Sequence, residues 1–275
     1  MASFPADSDR ALLSTSSGRV KAARKLARRN SRAEVRLFLA EGTKALTEAL
    51  DLPGCVVEVF ATSDATAAHE SLQRQVLDAG LPWQVAADDA VASLAGAQAP
   101  QGVVTVCRYV DRPVEAVLRG DVVVICADVR DPGNAGTIIR TADAVGAGAV
   151  VLAGSSVDPY NDKTVRATVG SLFHVALATG VEVRDAISTA QAAGYRVLAA
   201  DGAGETGLFE AGDVLTGKIA WLFGNEAWGL PGDVAAAADA RVSIPIYGRA
   251  ESLNLATAAA VCLYASARAR GTVEG

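Results

Sequence analysis

Three short segments, far apart in the chain, place polar side chains where an apolar run stops. The first runs from Val129 through Arg130, Asp131, Pro132, Gly133 and Asn134 to Arg140. Pro132 and Gly133 make a turn, and Asn134 is a competent N-cap for a following helix. A helix start of this kind can meet an anion. Arg140 falls more than one turn further on, off the angular face of the cap, so only its long side chain reaches back toward the turn. The second segment, Gly224-Asn225-Glu226-Ala227-Trp228-Gly229-Leu230, sets a carboxylate between two glycines, where backbone can approach a ligand closely. In the third, Ile244-Pro245-Ile246 ends a strand, because Pro cannot donate to the ladder, and Ser252, Leu253 and Asn254 open a helix that Ser252 can cap. Each segment alone also reads as an ordinary strand-turn-helix joint with surface polar groups.

The elements that must hold these loops are legible as alternating apolar runs and helical periods. After residue 119 the runs are 122–127, 149–153, 173–177, 196–200, 219–223 and 242–246, with helical patterns at 134–145, 182–193 and 252–268. The Val-rich run 122–127 has the composition of a strand buried on both faces, as in a parallel sheet. The second half is therefore an α/β doubly wound fold with a mostly parallel sheet, carrying its ligand loops at the carboxyl ends of the strands. The first half alternates too: 37–40 and the helix 43–50, 56–60 and 66–79, 83–85 and 88–95, then 103–109, a smaller α/β layer. The expected organisation is a flexible leader at 1–17, an N-terminal domain at 18–110, a linker at 111–118 around Pro113, and the second domain at 119–275.

The balance of 25 basic against 31 acidic residues gives a net charge of −6, which does not suit binding a polyanion over the whole surface. The distribution does: Arg19, Lys21, Arg24, Lys25, Arg28, Arg29, Arg32 and Arg36 face only Glu34, and the stretch from Ser17 to Arg29 within this run is predicted to form an amphipathic helix. Like charges so crowded repel unless a polyanion relieves them, so the first seven are candidate contacts to the phosphates of such a partner. A solvated helix face is the plainer reading. Cys55, Cys107, Cys126 and Cys262 form no C-x-x-C pair and read as reduced core thiols, and His69 and His174 stand apart, so no metal is expected. The longest weakly polar stretch, 253–267, is shorter than a span of about 20 residues, and the amino-terminal stretch lacks an apolar signal core. A cytoplasmic protein is the expectation.

Taken together, N-x-G-x-x-x-R from Asn134, G-N-E-x-x-G-L from Gly224 and I-P-I-x-G-x-x-x-S-L-N from Ile244 resemble, in order and position, the signature motifs of the SpoU (TrmH-like) RNA 2'-O-ribose methyltransferases of the SPOUT superfamily. Phe38-Leu39-Ala40-Glu41-Gly42 is similar to the start of that family's ribosomal-protein-like substrate-binding domain. The resemblance implies a deep trefoil knot, S-adenosylmethionine as methyl donor, a homodimer built through the catalytic domain, and RNA, with 23S rRNA expected, as substrate. It implies catalytic roles for Arg140, Asn134, Glu226, Ser252 and Asn254, and cofactor contacts from Leu222, Phe223, Gly224, Asn225, Gly229, Ile244, Ile246, Ser252 and Leu253. Ala227 stands where relatives often have glycine, Trp228 is bulky for its place, and Ala176 replaces a frequent proline. A tRNA 2'-O-methyltransferase or a silent RNA-binding or ribosome-assembly module is the alternative. A nicotinamide oxidoreductase would need G-x-G-x-x-G after the first strand of the second half, and that motif is absent.

Overall fold

The computed structural model describes residues 12–96 and 100–271. The chain divides into two compact units, one of residues up to Val110 together with Asp158–Phe173, the other of Asp111–Val157 with His174–Gly275. Residues 1–11 of the expected leader lie outside the described residues.

The first unit contains α1 (Gly18–Lys25), α2 (Arg29–Val35), β1 (Leu37–Glu41), α3 (Thr43–Leu50), β2 (Val56–Ala61), α4 (Ser63–Ala68), α5 (Glu70–Asp78), β3 (Trp83–Val85), α6 (Asp88–Ala92) and β4 (Val103–Arg108). Its sheet order is β1-β4-β2-β3, with β4 antiparallel to both neighbours and β3 parallel to β2. Leu13, Val20, Ala23 and Leu26 from the amino-terminal segment pack with Phe60, Val104 and Val106 in one apolar cluster. Residues 12–17 are therefore not a frayed leader: the Leu13 N–H donates to Val85 and its carbonyl accepts from Ala87. The basic helix predicted from Ser17 to Arg29 ends early, at Lys25, and Arg29 instead opens a separate helix, α2. The cause is Arg32, which is 4% exposed and donates to the carbonyls of Leu26 (2.8 Å) and Ala27 (2.9 Å) at the break. Those two acceptors are satisfied by a guanidinium, so the chain can turn there at no hydrogen-bonding cost. The predicted helix 66–79 likewise begins early and breaks at His69, whose φ of −128° and ψ of 42° lie off the helical range.

The second unit contains α7 (Val114–Val117), β5 (Val122–Ala127), α8 (Pro132–Ala144) and β6 (Ala149–Ala153). Next in chain order is α9 (Asp162–Thr168), which belongs to the first unit. The second unit then resumes with β7 (Ala176–Thr179), α10 (Val183–Ala192), β8 (Arg196–Ala200), β9 (Thr206–Gly207), β10 (Ile219–Phe223), α11 (Gly232–Ala235), β11 (Ala240–Ser243) and α12 (Leu255–Ala269). All of its strand pairs are parallel, in the order β7-β6-β5-β10-β8-β11-β9. Alternate residues of β5 serve opposite faces: Val123, Ile125 and Ala127 pack with Val114 and Val117 of α7 and Ala186, Ile187 and Ala190 of α10. On the other face α8 and α12 cover the sheet, and the Trp221 indole N–H of β10 donates to Ser266 of α12 at 2.9 Å. The expected linker 111–118 is part of this unit, because Val114 and Val117 are buried and the Arg112 N–H donates to Leu177. Two strand ranges shift for local reasons. A 3-10 turn at Ser171–Phe173 delays β7, and Pro245 ends β11 before the expected 246.

All four cysteines are buried free thiols, and burial pushes Cys126 and Cys262 up to about 12. No group of three His, Cys, Asp or Glu among the described residues is placed to hold a metal ion. No helix among them is long and apolar enough to cross a membrane.

Candidate active site

β5 and β10 are neighbours in the sheet although β6, β7, β8 and β9 lie between them in the chain, so their carboxyl ends flank the crevice where a doubly wound fold binds ligands. At the end of β5, Asp128 takes a φ of 56°, a conformation Asp tolerates better than most residues. Its carbonyl accepts from the Asn225 side-chain amide beyond β10 at 2.7 Å. Asp131, not Asn134, caps α8: its Oδ1 accepts from the Asn134 N–H at 2.8 Å, and Pro132 takes the first helical position, where its fixed φ fits and no N–H is missed. Asn134, relieved of capping, spends its side chain elsewhere. Its Nδ2 donates to Glu226 Oε1 (3.2 Å) and its Oδ1 accepts from Asn254 Nδ2 (3.0 Å). Asn254, not Ser252, is the cap of α12, accepting from the N–H groups of Ala256 and Thr257 at 2.9 and 3.2 Å.

Glu226 closes this path. Its Oε1 also accepts from the Asp131 N–H (2.9 Å), and its Oε2 accepts from the Arg130 N–H (3.2 Å). Partial burial pushes the carboxyl up, but the backbone N–H donors of Asp131, Arg130 and Glu226 itself, with the Asn134 amide, outweigh it and hold the group below its usual 4.5. A carboxylate held low by donors on both oxygens is a poor proton acceptor. Its geometry is that of a clamp joining the loops after β5 and β10 to the start of α12.

A cavity of about 310 Å³ opens beside this clamp. Of the sequence-predicted residues, Gly224, Asn225, Glu226, Gly229, Ile244, Ile246, Ser252 and Leu253 line it. Leu222 and Phe223 are fully buried in β10 behind the wall, and Asn134 and Asn254 reach it through Glu226. Arg140 does not line it: the side chain is exposed on α8, about 9 Å along the helix axis from Asn134. Asp201 and Gly202 after β8, with Glu251 and Leu255, also line the cavity and were not singled out in the sequence. Their signal was positional, since Asp201 directly follows a strand that the periodicity predicts.

The lining suits S-adenosylmethionine. Val242, Ile244, Ile246, Leu253 and Leu255 offer apolar surface for an adenine, while Asp201, Glu226 and Glu251 offer carboxylates to a ligand that carries sulfonium and ammonium charge. Backbone is packed tightly here. A Cβ on Gly224 would lie 2.3 Å from the Gly229 carbonyl carbon and 2.6 Å from the Leu230 nitrogen. Gly224→Ala is accordingly expected to cost about 1–3 kcal/mol of stability and to weaken S-adenosylmethionine binding at least about tenfold, measured by thermal denaturation and isothermal titration.

The predicted RNA contacts divide by burial. Lys21, Lys25, Arg28 and Arg29 are exposed. Arg19 is held by Glu58 at 3.0 Å, Arg24 by Ser93 at 2.8 Å, and Arg32 by Asp158 at 2.6 Å. Arg32→Ala is expected to cost about 3–5 kcal/mol, read from chemical denaturation, because it strands a largely buried Asp158. Alanine at the four exposed positions should leave stability intact.

A parallel α/β unit whose strand-end loops converge on an acidic and apolar cavity through an Asn–Asn–Glu clamp defines an S-adenosylmethionine-dependent methyltransferase. The chain belongs to the SpoU rRNA methylase family, whose model matches residues 121–264, and an MRM3-like substrate-binding domain matches residues 18–105. The 23S rRNA (guanosine(2553)-2'-O)-methyltransferase RlmP of Bacillus subtilis (strain 168) is 32% identical over 90% of this chain and 94% of its own. The S-adenosylmethionine-bound rRNA methyltransferase from Sinorhizobium meliloti is 35% identical with a TM-score of 0.81, covering 90% of this chain and 94% of that one. AviRb from Streptomyces viridochromogenes, in complex with S-adenosylmethionine, is 30% identical with a TM-score of 0.82, covering 93% and 99%.

Proposed function

We propose that this protein transfers a methyl group from S-adenosylmethionine to a ribose 2'-hydroxyl of 23S rRNA, in the cytoplasm. The observation that carries the reading is the continuous hydrogen-bonded path from α12 through Asn254 and Asn134 to Glu226, which fixes three strand-end loops around one cavity. When bound, S-adenosylmethionine supplies an electrophilic methyl group on sulfur. The protein's task is to align the ribose oxygen and to stabilise its negative charge as the proton leaves. Gly224, Ile244 and Leu253 hold the donor, with Ser252 beside them at the cavity wall. Glu226, Asn134 and Asn254 keep that wall in register.

Arg140 is the residue assigned to the ribose and its flanking phosphate. A guanidinium has no lone pair free to take a proton, so its contribution is bidentate grip and charge rather than proton removal. Its position off the wall of its own protomer's cavity supports a homodimer in which the second copy brings Arg140 to the site. The exposed Lys21, Lys25, Arg28 and Arg29 grip RNA phosphates, and each contact removed should flatten the dependence of log K on log salt by about 0.7–0.9.

The test is transfer of isotopically labelled methyl from S-adenosylmethionine to purified RNA, followed by mapping of 2'-O-methylated nucleotides. A single labelled ribose in 23S rRNA is expected. Label in tRNA alone would replace the substrate, and no label in any RNA despite donor binding would overturn the activity.

A further inference from the structure

Trp228 is the feature of the site that the methyl-transfer chemistry does not use. It lies between Ala227 and Gly229, which line the cavity, yet its own side chain does not, and the ring is 55% exposed. Leaving an indole in water forgoes the burial that usually stabilises it. The loop that carries it is nevertheless rigid. Asn225 and Gly229 exchange two backbone hydrogen bonds of 2.9 Å each, and the Asn225 side chain is pinned to the Asp128 carbonyl and the Ala227 N–H at 2.7 and 2.8 Å. The Arg130 guanidinium stands over the ring, 5.3 Å from its centroid, while the Arg130 N–H is committed to Glu226. Arg130 has no carboxylate partner among the described residues, so its charge is available beside the indole.

An exposed aromatic face, backed by an unpaired guanidinium and fixed at the rim of a site that acts on a nucleotide, matches the way proteins hold unstacked bases. We infer that Trp228, with Arg130, is a stacking platform for a nucleobase of the RNA substrate. The platform positions the RNA and takes no part in bond making. The inference rests on the RNA methyltransferase reading, and commits to a nucleobase rather than a protein partner because cation and indole together complement a base and its phosphate.

Fluorescence makes this separable from the proposed activity. The chain has three tryptophans, and Trp83 and Trp221 are 9% and 0% exposed, so Trp228 reports alone on a ligand at the surface. RNA should quench the emission of the wild-type protein, and Trp228→Phe should abolish that quench while methylating within about twofold of wild type. Trp228→Ala should raise KM for RNA about tenfold or more, the scale of one lost base stack, with kcat at saturating RNA and the Kd for S-adenosylmethionine unchanged. An unchanged KM in Trp228→Ala, or a loss that Phe does not rescue, would overturn the platform. So would a shift of Trp228→Ala to a smaller species in sedimentation, which would make the indole a contact between copies. A wild-type protein that transfers no methyl group but shows the Trp228-dependent quench would sink the activity and leave the platform standing.

Discussion

Alanine at position 140 is expected to lower kcat for methyl transfer by about 10²–10³, the usual consequence of removing a preorganised group that stabilises developing oxyanion charge. The melting temperature should not fall, because Arg140 is exposed and Ala is at least as good a helix former. Lysine keeps the charge and loses the planar fork, so Arg140→Lys should sit between wild type and alanine. Near-wild-type turnover in Arg140→Lys, with RNA and donor binding unchanged, would remove the bidentate grip from the mechanism. Mixing makes the dimer testable as well. Arg140→Ala and Gly224→Ala proteins should each turn over poorly at limiting donor, but co-expressed they should regain activity if the protein is a dimer in which one copy's Arg140 serves the other copy's cavity. No recovery in isolated heterodimers would mean that the arginine acts within its own protomer.

What could be read in the sequence followed from local rules. The apolar run 122–127 became β5, and Gly224 and Glu226 fell at the end of β10 as the periodicity required. The caps were misread where two candidates compete within one turn. Asp131 and Asn134 can each start α8, and the deciding signal was Pro132, which prefers the position just after the cap. Ser252 and Asn254 compete in the same way, and there the choice is tertiary: Asn254 can cap α12 and still donate to Asn134, 120 residues away. Arg32 was beyond local reasoning altogether. A basic residue among basic residues reads as surface, and only Asp158, 126 residues on in sequence, makes its burial tolerable.

Glu226→Gln keeps the shape of the side chain and should still lower kcat by about 100-fold, since displacing a reacting alignment by around 1 Å costs that much. Three external donors converge on two oxygens: the Asp131 N–H and Asn134 Nδ2 on Oε1, and the Arg130 N–H on Oε2. An amide supplies one oxygen, so its NH2 must face at least one N–H, and two donors that point at each other are both left unsatisfied. With the amide oxygen at the Oε1 position the Arg130 N–H is stranded against the NH2, and with it at the Oε2 position the Asp131 N–H is stranded and Asn134 loses the acceptor that orients it toward Asn254, so either way a tie between the loops after β5 and β10 is lost. Acid should reproduce the effect in the wild-type protein. Because the folded-state pKa of Glu226 lies below its usual 4.5, the clamp's contribution is complete above that value and is lost as pH falls through the lower folded value. S-adenosylmethionine binding, followed by titration calorimetry across the acid range, should therefore hold to below pH 4.5 in the wild type. In Glu226→Gln it should be weak from the outset, with no acid limb attributable to this site. A variant with full turnover, or one that keeps the wild-type acid limb, would show that the carboxylate is not what holds the three loops together.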